Sequence, residues 1–351
     1  MRVVQFVSDA DRRGAQVFAV ALGSALAGRG VAVDTFALVP GTSADPLPIP
    51  VLSPSSRWWG ALGGVRRAAF GADVVIAHGS STLPACAVAV GRRAPFVYRS
   101  IGDLPQWVGG GLRRRRVSWA LGRAAGVSVL WPDLVSFLTG PLGVDEARVR
   151  VLPNAVETAR FPEASEADRE AARLELGIGP HEVVIAHVGA LADEKRIAWL
   201  VEVAARRQWS LVLAGSGPER DRLSALARAR AANVSFLGPR ADPWPVYAAA
   251  DVVALASRTE GQPAVLIEAA LCARAVVAPR LGGIPELVDD GRTGVLFAAD
   301  AGPAGLEDAL DEALGRADQL GSAAAAWARP RFDIEASAAT WHEWLSDLAV
   351  A

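Results

Sequence analysis

Short unbroken apolar runs recur along the chain, separated by stretches whose apolar residues fall three and four positions apart. In the first half, Val3–Val7, Val31–Leu38, Asp73–Ala77, Pro95–Tyr98, Gly126–Leu130 and Val149–Leu152 read as strands. In the second half, Val183–Val188, Ser210–Ala214, Val234–Leu237, Asp251–Leu255, Ala275–Ala278 and Gly294–Phe297 read the same way. Runs without polar alternation belong to strands buried on both faces, which is the condition of a parallel sheet. Intervening amphipathic stretches such as Ala15–Ala27 supply the covering helices. The pattern predicts an α/β chain of two Rossmann-like domains, with ligands at the C-terminal ends of the strands.

A length of 351 residues exceeds the usual single domain. The polar, acidic stretch from Glu157 to Asp168, just after Pro153-Asn154, reads as a linker. Residues 1–157 then form a first domain, residues 165–330 a second, and residues 331–351 a helix crossing back to the first. Trp327, Trp341 and Trp344 are available to anchor that tail. The connection Pro40–Ser56 is too long for a simple turn and reads as a functional flap.

Composition narrows the partners. The net charge of −2 gives no global reason to expect nucleic acid. The only cysteines, Cys86 and Cys272, lack metal-type spacing, and no signal segment precedes the first strand, so a reducing cytoplasm is expected. No apolar run approaches the roughly 18 residues that span a bilayer. Lys195 is the one lysine among 36 basic residues, and a compact ammonium is not replaced by arginine at a tight phosphate site.

The stretch from Ser257 to Gly294 concentrates the chemistry. Glu260 stands in a Gly/Pro-containing turn and Glu268 inside an apolar helical run that starts near Pro263, a residue suited to a first helical position. Were both glutamates helical they would lie about 12 Å apart along the axis and roughly 80° apart around it, too far for the close carboxylate pair of a retaining glycosidase. With Glu260 in the turn, the two can grip opposite ends of one elongated ligand. The unpaired N–H groups of the helix start between them suit a pyrophosphate.

The order and spacing of several motifs resemble the family-4 glycosyltransferases, retaining enzymes of the GT-B fold. VGALADEKR (188–196), LVLAGSGPERDRL (211–223), the run from VSFLGPR through SRTEGQPAVLIEAALC, GGIPELVDDGRTGVLF and LPNAVETARF (152–161) carry the resemblance. It implies a sugar moved from a nucleotide-diphosphate donor to an acceptor hydroxyl in a cleft between two Rossmann-like domains, with no metal and no cofactor beyond the donor. Carried over residue by residue, it assigns Glu260 to the donor sugar, the backbone from Gln262 through Pro263 and Val265 to Leu266 to sugar and diphosphate, and Glu268 to the ribose. Lys195 matches the phosphate-binding lysine, beside Gly189. Gly14 matches a glycine approached by the diphosphate, and His78 a histidine that contacts the sugar; both also suit purely structural roles. Arg240 is expected near the base.

One position departs from the family. Ala190 replaces an arginine, so Arg196, Arg258 or Arg99 is expected to substitute as the second cation. Asp11, Arg13 and Arg99 are the acceptor-binding candidates. Asp9-Ala10-Asp11 has the D-x-D spelling of metal-dependent transferases, but its place in the first loop favours a solvated or acceptor-binding segment. His181, His187 and His342 have no nucleophile to pair with, and His187 is expected to pack within its strand. Arg113, Arg114, Arg115 and Arg116 form the one basic run, read as a solvated helix face, with an anionic acceptor or peripheral membrane contact as the alternative. A small molecule or glycan is the expected acceptor. A nucleotide-sugar 2-epimerase and a non-catalytic nucleotide-sugar binder share the fold and stay as alternatives. A dehydrogenase is disfavoured, because no G-x-G-x-x-G follows the first strand.

Overall fold

A computed structural model describes residues 1–42, 46–55, 57–91 and 93–350. Every strand expected from the apolar runs forms, and the bounds shift by only a residue or two. In the first half these are β1 (Arg2–Asp9), β2 (Ala32–Val39), β3 (Val74–His78), β4 (Phe96–Arg99), β5 (Gly126–Val129) and β6 (Val149–Val151). In the second they are β7 (Val184–Val188), β8 (Ser210–Ala214), β9 (Val234–Gly238), β10 (Val252–Ala254), β11 (Ala275–Pro279) and β12 (Val295–Phe297). They assemble into two 6-stranded sheets, ordered β2-β1-β3-β4-β5-β6 and β12-β11-β10-β7-β8-β9. All the pairings between these strands are parallel. Two compact units result: Met1–Val156 with Asp333–Ala351, and Glu157–Phe332.

In the first unit the two-residue period of the strands sorts the core into two layers. Val4, Phe6, Val75, Ala77, Phe96 and Tyr98 face helices that include Leu62–Ala68, Thr82–Ala89 and Gly111–Leu121. Val3, Val74, Ile76 and Val97 face the opposite layer, made by helices Gly14–Gly28 and Ile334–Val350. The last helix therefore completes the first unit's sandwich. Trp341, with no exposed surface, and Trp344 fill that layer, their rings 5.5 Å apart. Trp327 does not join them. It lies in helix Ala317–Ala328 of the second unit, beneath the Arg331 guanidinium at 3.6 Å.

The described parts of the long connection after β2 are stitched down instead of forming a free flap. Ala37 donates to Pro50 O at 2.9 Å, Leu52 returns a bond to Ala37 O at 2.9 Å, and Leu47 donates to Ala10 O at 2.7 Å. Residues 43–45 and 56 of this stretch lie outside the described residues.

Each sheet reverses its order once, between β1 and β3 and between β10 and β7. At such a point the loops after the two central strands diverge and leave a crevice for a ligand. The second unit is entered through helix Glu166–Leu176, whose Ser165–Asp168 capping box satisfies its first amides. Among the described residues no helix is long and apolar enough to cross a membrane.

Replacing Trp341 by alanine is expected to destabilise the first unit by about 3–5 kcal/mol. Trp341→Phe is expected to cost well under half as much, because the buried indole N–H has no acceptor to lose. Denaturant unfolding followed by circular dichroism checks both.

Candidate functional site

The loops that follow β7, β8 and β9 are sewn together by backbone hydrogen bonds. Gly189 donates to Ala214 O at 2.9 Å, Leu191 to Ser216 O at 2.9 Å, and Gly215 to Gly238 O at 2.8 Å. The fit requires glycine at 215, where φ is +150° and a Cβ would overlap the carbonyl oxygen of Gly189. From this anchored base the chain makes a 3-10 turn, Asp193–Lys195, ended by Arg196 in the left-handed region at φ 49°. Lys195 is thereby turned toward the loop after β10.

That second loop is fastened to the first. Arg258 N donates to Glu194 O at 2.7 Å and its guanidinium pairs with Asp193 at 2.5 Å. Lys195 Nζ meets Glu260 Oε1 at 2.6 Å, and the Ser257 hydroxyl donates to the same oxygen at 2.6 Å. With side-chain exposures of 21% and 9%, the pair is enclosed but reachable. Glu260 Oε2 and two of the ammonium hydrogens remain without a protein partner among the described residues, so an acceptor and donors stand side by side. The loop after β11 supports Glu260 from behind: Gly283 N donates to Gly261 O at 2.9 Å, and Gly282, at φ +55°, comes so close that a Cβ would overlap Glu260 O.

Below this pair His187 is fully buried, its Nδ1 donating to Ala254 O at 3.1 Å and so tying β7 to β10. Burial first, and the Lys195 charge in addition, push its pKa down to about 4, so the ring is neutral at physiological pH. It packs within its strand, near enough to Lys195 to feel its charge.

Helix Ala264–Leu271 begins with Pro263 as its extended N-cap, one position before the first helical place expected for it. Pro263 has no N–H, and the N–H of Leu266 donates to Pro263 O at 3.1 Å. Leu266 thus differs from expectation, because closing the first turn engages its amide. The amides of Ala264 and Val265 are the ones at this helix start with no acceptor among the described residues. Gln262 is buried beside them. A turn further on, Glu268 Oε2 accepts from the Tyr247 hydroxyl at 2.5 Å. Burial raises the Glu268 pKa above the usual carboxylate value, while the Tyr247 hydrogen bond and the Arg160 charge oppose that rise. Glu268 is thus partly enclosed and partnered rather than a bare surface charge.

Tyr247 escaped the sequence reading. It is fully buried in helix Trp244–Ala249 and held edge-on by Phe161 at 6.1 Å. Its separation from Glu268 follows no motif spacing; the single available signal was that the chain has only 2 tyrosines.

The remaining arginines separate by position. The Arg196 guanidinium donates to Ala299 O at 2.7 Å and lies over Trp199 at 4.6 Å. Arg240, after β9, pairs with Glu175 at 3.7 Å. Ala190 is exposed.

In the first unit, Gly14 opens helix Gly14–Gly28, and a Cβ there would meet no atom of the described residues within 4 Å. Packing does not demand glycine at that position. Arg13 is 64% exposed and pairs with Asp11 at 3.1 Å. Asp11 is buried, not solvated: its carboxylate accepts from Thr42 N at 2.6 Å and Thr42 Oγ1 at 3.0 Å. Among the described residues no group of three His, Cys, Asp or Glu side chains is placed to hold a metal ion.

His78 and Arg99, at the ends of β3 and β4, are each 1% exposed. Gln5 Nε2 donates to Ala19 O at 2.9 Å, which leaves its Oε1 to accept from His78 Nε2 at 2.8 Å. Burial and the nearby Arg99 charge hold the His78 pKa well below its usual value. Arg99 donates to Asn154 Oδ1 at 3.1 Å and lies 3.7 Å over the Phe18 ring. As placed here, neither side chain opens to solvent.

The two sheets and their switch points define the GT-B architecture. HepE of Anabaena, solved with UDP-glucose, matches over 99% of this chain and 100% of its own with a TM-score of 0.85 at 23% identity. The sucrose-phosphate synthase of Thermosynechococcus elongatus matches over 99% and 98% with a TM-score of 0.83 at 22% identity. Residues 3–155 match the family model "Glycosyl transferase 4-like domain" and residues 182–316 the model "Glycosyl transferases group 1". The chain belongs to the group 1 glycosyltransferase family. It is 37% identical over 179 residues to the D-inositol 3-phosphate glycosyltransferase of Actinosynnema mirum, a match spanning 46% of this chain and 42% of the relative. The alpha-maltose-1-phosphate synthase of Mycolicibacterium smegmatis is 34% identical over 170 residues, 45% of this chain and 44% of the relative. The matched region thus spans less than half the length of these curated relatives.

Because the Tyr247 hydroxyl favours the charged carboxylate, Tyr247→Phe is expected to raise the Glu268 titration midpoint further above the ordinary glutamate range. A carboxyl NMR titration, with Glu268→Gln to assign the signal, reads this directly. An unchanged or lowered midpoint would mean that the hydroxyl does not hold the carboxylate.

Proposed function

We propose that the protein is a retaining glycosyltransferase, moving a sugar from a nucleotide-diphosphate donor to an acceptor hydroxyl without a metal ion or other cofactor. The observation that carries the proposal is the Lys195–Glu260 contact at 2.6 Å beside the unpartnered amides of Ala264 and Val265. In this reading Glu260 Oε2 accepts from the sugar hydroxyls, and the helix start and Lys195 receive the diphosphate, where the helix dipole favours negative charge. Glu268, oriented by Tyr247, takes the ribose hydroxyls.

As the bond between the sugar and the phosphate oxygen breaks, negative charge grows on the leaving diphosphate and the ammonium is already in place to stabilise it. The acceptor oxygen bonds to the same face of the sugar, and its proton passes to the departing phosphate oxygen, so no protein base is required. Arg258 is the arginine that covers for Ala190. Its pair with Asp193 is solvent-exposed on both sides, at 51% and 71%, and exposed pairs of this kind are held by at most about 1 kcal/mol. Swinging to a phosphate costs it little. Arg13, exposed beside Gly14, is the acceptor-side cation, positioned by Asp11. A reducing cytoplasm suits the two buried free thiols, Cys86 and Cys272.

The test is acceptor-dependent release of nucleoside diphosphate across a panel of nucleotide sugars, with the anomeric configuration of the product read by NMR. Lys195→Ala and Glu260→Gln are each expected to lower kcat by about 10² to 10³, and EDTA to leave turnover unchanged. Loss of activity in EDTA with recovery on manganese would overturn metal independence. Sugar isomerisation without acceptor would replace transfer by epimerisation.

A further inference from the structure

Although the chain carries a net charge of −2, the segment from Arg57 to Arg123 contains eleven arginines and only two acidic residues, Asp73 and Asp103. Helices Leu62–Ala68, Thr82–Ala89 and Gly111–Leu121 from this segment pack side by side over one face of the first unit's sheet. None of the three contains an acidic residue. Five of the large hydrophobic side chains left exposed also come from this segment: Trp59, Phe70, Val88, Leu112 and Trp119. Arg99 of this count is buried, but Arg66, Arg67 and Arg113 to Arg116 are exposed on these helices together with Val88, Leu112 and Trp119, so the layer is both basic and apolar on its outside.

The centre of the patch is the start of helix Gly111–Leu121. Gly111 to Arg116 are consecutively exposed, which is more than a full turn, so this end stands clear of the body. Arg113 to Arg116 sit at the positive end of the helix dipole with no acid in the first turn. Among the described residues none of the four, nor Arg123, is paired with a carboxylate. Arg113 lies 5.7 Å over Trp107, Arg123 lies 4.7 Å over Trp119, and Arg114 donates to Gly109 O. Adjacent guanidiniums repel one another and the dipole alike, and an anionic surface would relieve both.

We propose that this three-helix face docks on an anionic lipid bilayer. Stable attachment to a bilayer takes two signals, basic charge for the headgroups and apolar side chains for the acyl boundary, and this face presents both. A polyanion such as single-stranded RNA would use the arginines, but it offers nothing for Leu112 at 69% exposure or Val88 at 51%. The placement depends on the first unit's surface alone and not on the site in the second.

Co-sedimentation of the full chain with vesicles tests it. Wild-type protein is expected to pellet with phosphatidylglycerol-containing vesicles and not with phosphatidylcholine alone. The variant with Arg113→Gln, Arg114→Gln, Arg115→Gln and Arg116→Gln is expected to lose partitioning on the order of a hundredfold or more, from about fivefold per charge near such a surface. Leu112→Ser with Trp119→Ser is expected to weaken binding several-fold. All of these side chains are exposed, and an unchanged unfolding temperature keeps a folding defect from being read as lost binding. Equal binding to both vesicle types, retention by the four-arginine variant, or tighter binding to polyuridylate that ignores Leu112→Ser and Trp119→Ser would each overturn the proposal.

Discussion

Lys195 and Glu260 meet at 2.6 Å although 65 residues separate them in sequence. What brings them together is strand order: β7 and β10 are neighbours where the strand order of the second sheet reverses, so the loops that leave them share one crevice. The surrounding structure keeps that meeting in register. His187 ties the two strands, the Arg258 amide ties the two loops, and close backbone approaches at Gly215 and Gly282 fix each loop from behind. A pair enclosed to this degree is held more firmly than a surface ion pair, and removing either member strands a charge.

The two carboxylates of the site are held in opposite ways. Glu260 is matched by a cation and a hydroxyl on one oxygen, with the other oxygen unused. Among the described residues Glu268 has no cation in hydrogen-bond contact; a buried phenol donates to it, and enclosure raises its pKa. The first arrangement places positive and negative groups together. The second sets a single acceptor, held by a phenol, in an otherwise apolar helix.

The strands were legible because strands of a parallel sheet buried on both faces are apolar at nearly every position, as β3, β8 and β11 are. Lys195, Glu260 and Glu268 could be singled out because each lies within a continuous local motif. The misses have a common cause, which is dependence on contacts distant in sequence. Tyr247 touches Glu268 only through packing of two helices. Leu266 is helical, so its amide closes the first turn. Asp11 is buried because Thr42 of the following loop folds onto it, and Trp327 stays with its own unit because Arg331 and Arg292 enclose its ring. Apolar periodicity places an element but does not say which polar side chain the neighbouring element will cover.

That limit is sharpest at the switch point of the first unit. His78 and Arg99 stand at strand ends, where ligand-facing residues are expected, yet helix Gly14–Gly28 lowers Phe18 onto Arg99 and leaves both side chains sealed. The Gln5 amide, held by Ala19 O, selects the His78 tautomer that donates from Nε2, and burial keeps the ring neutral. A neutral imidazole beside a buried guanidinium avoids placing two like charges out of water together, which low-dielectric surroundings would penalise heavily. The stack meets helix Gly14–Gly28 at Phe18, about one turn in from its start, where Arg13 is exposed and paired with Asp11.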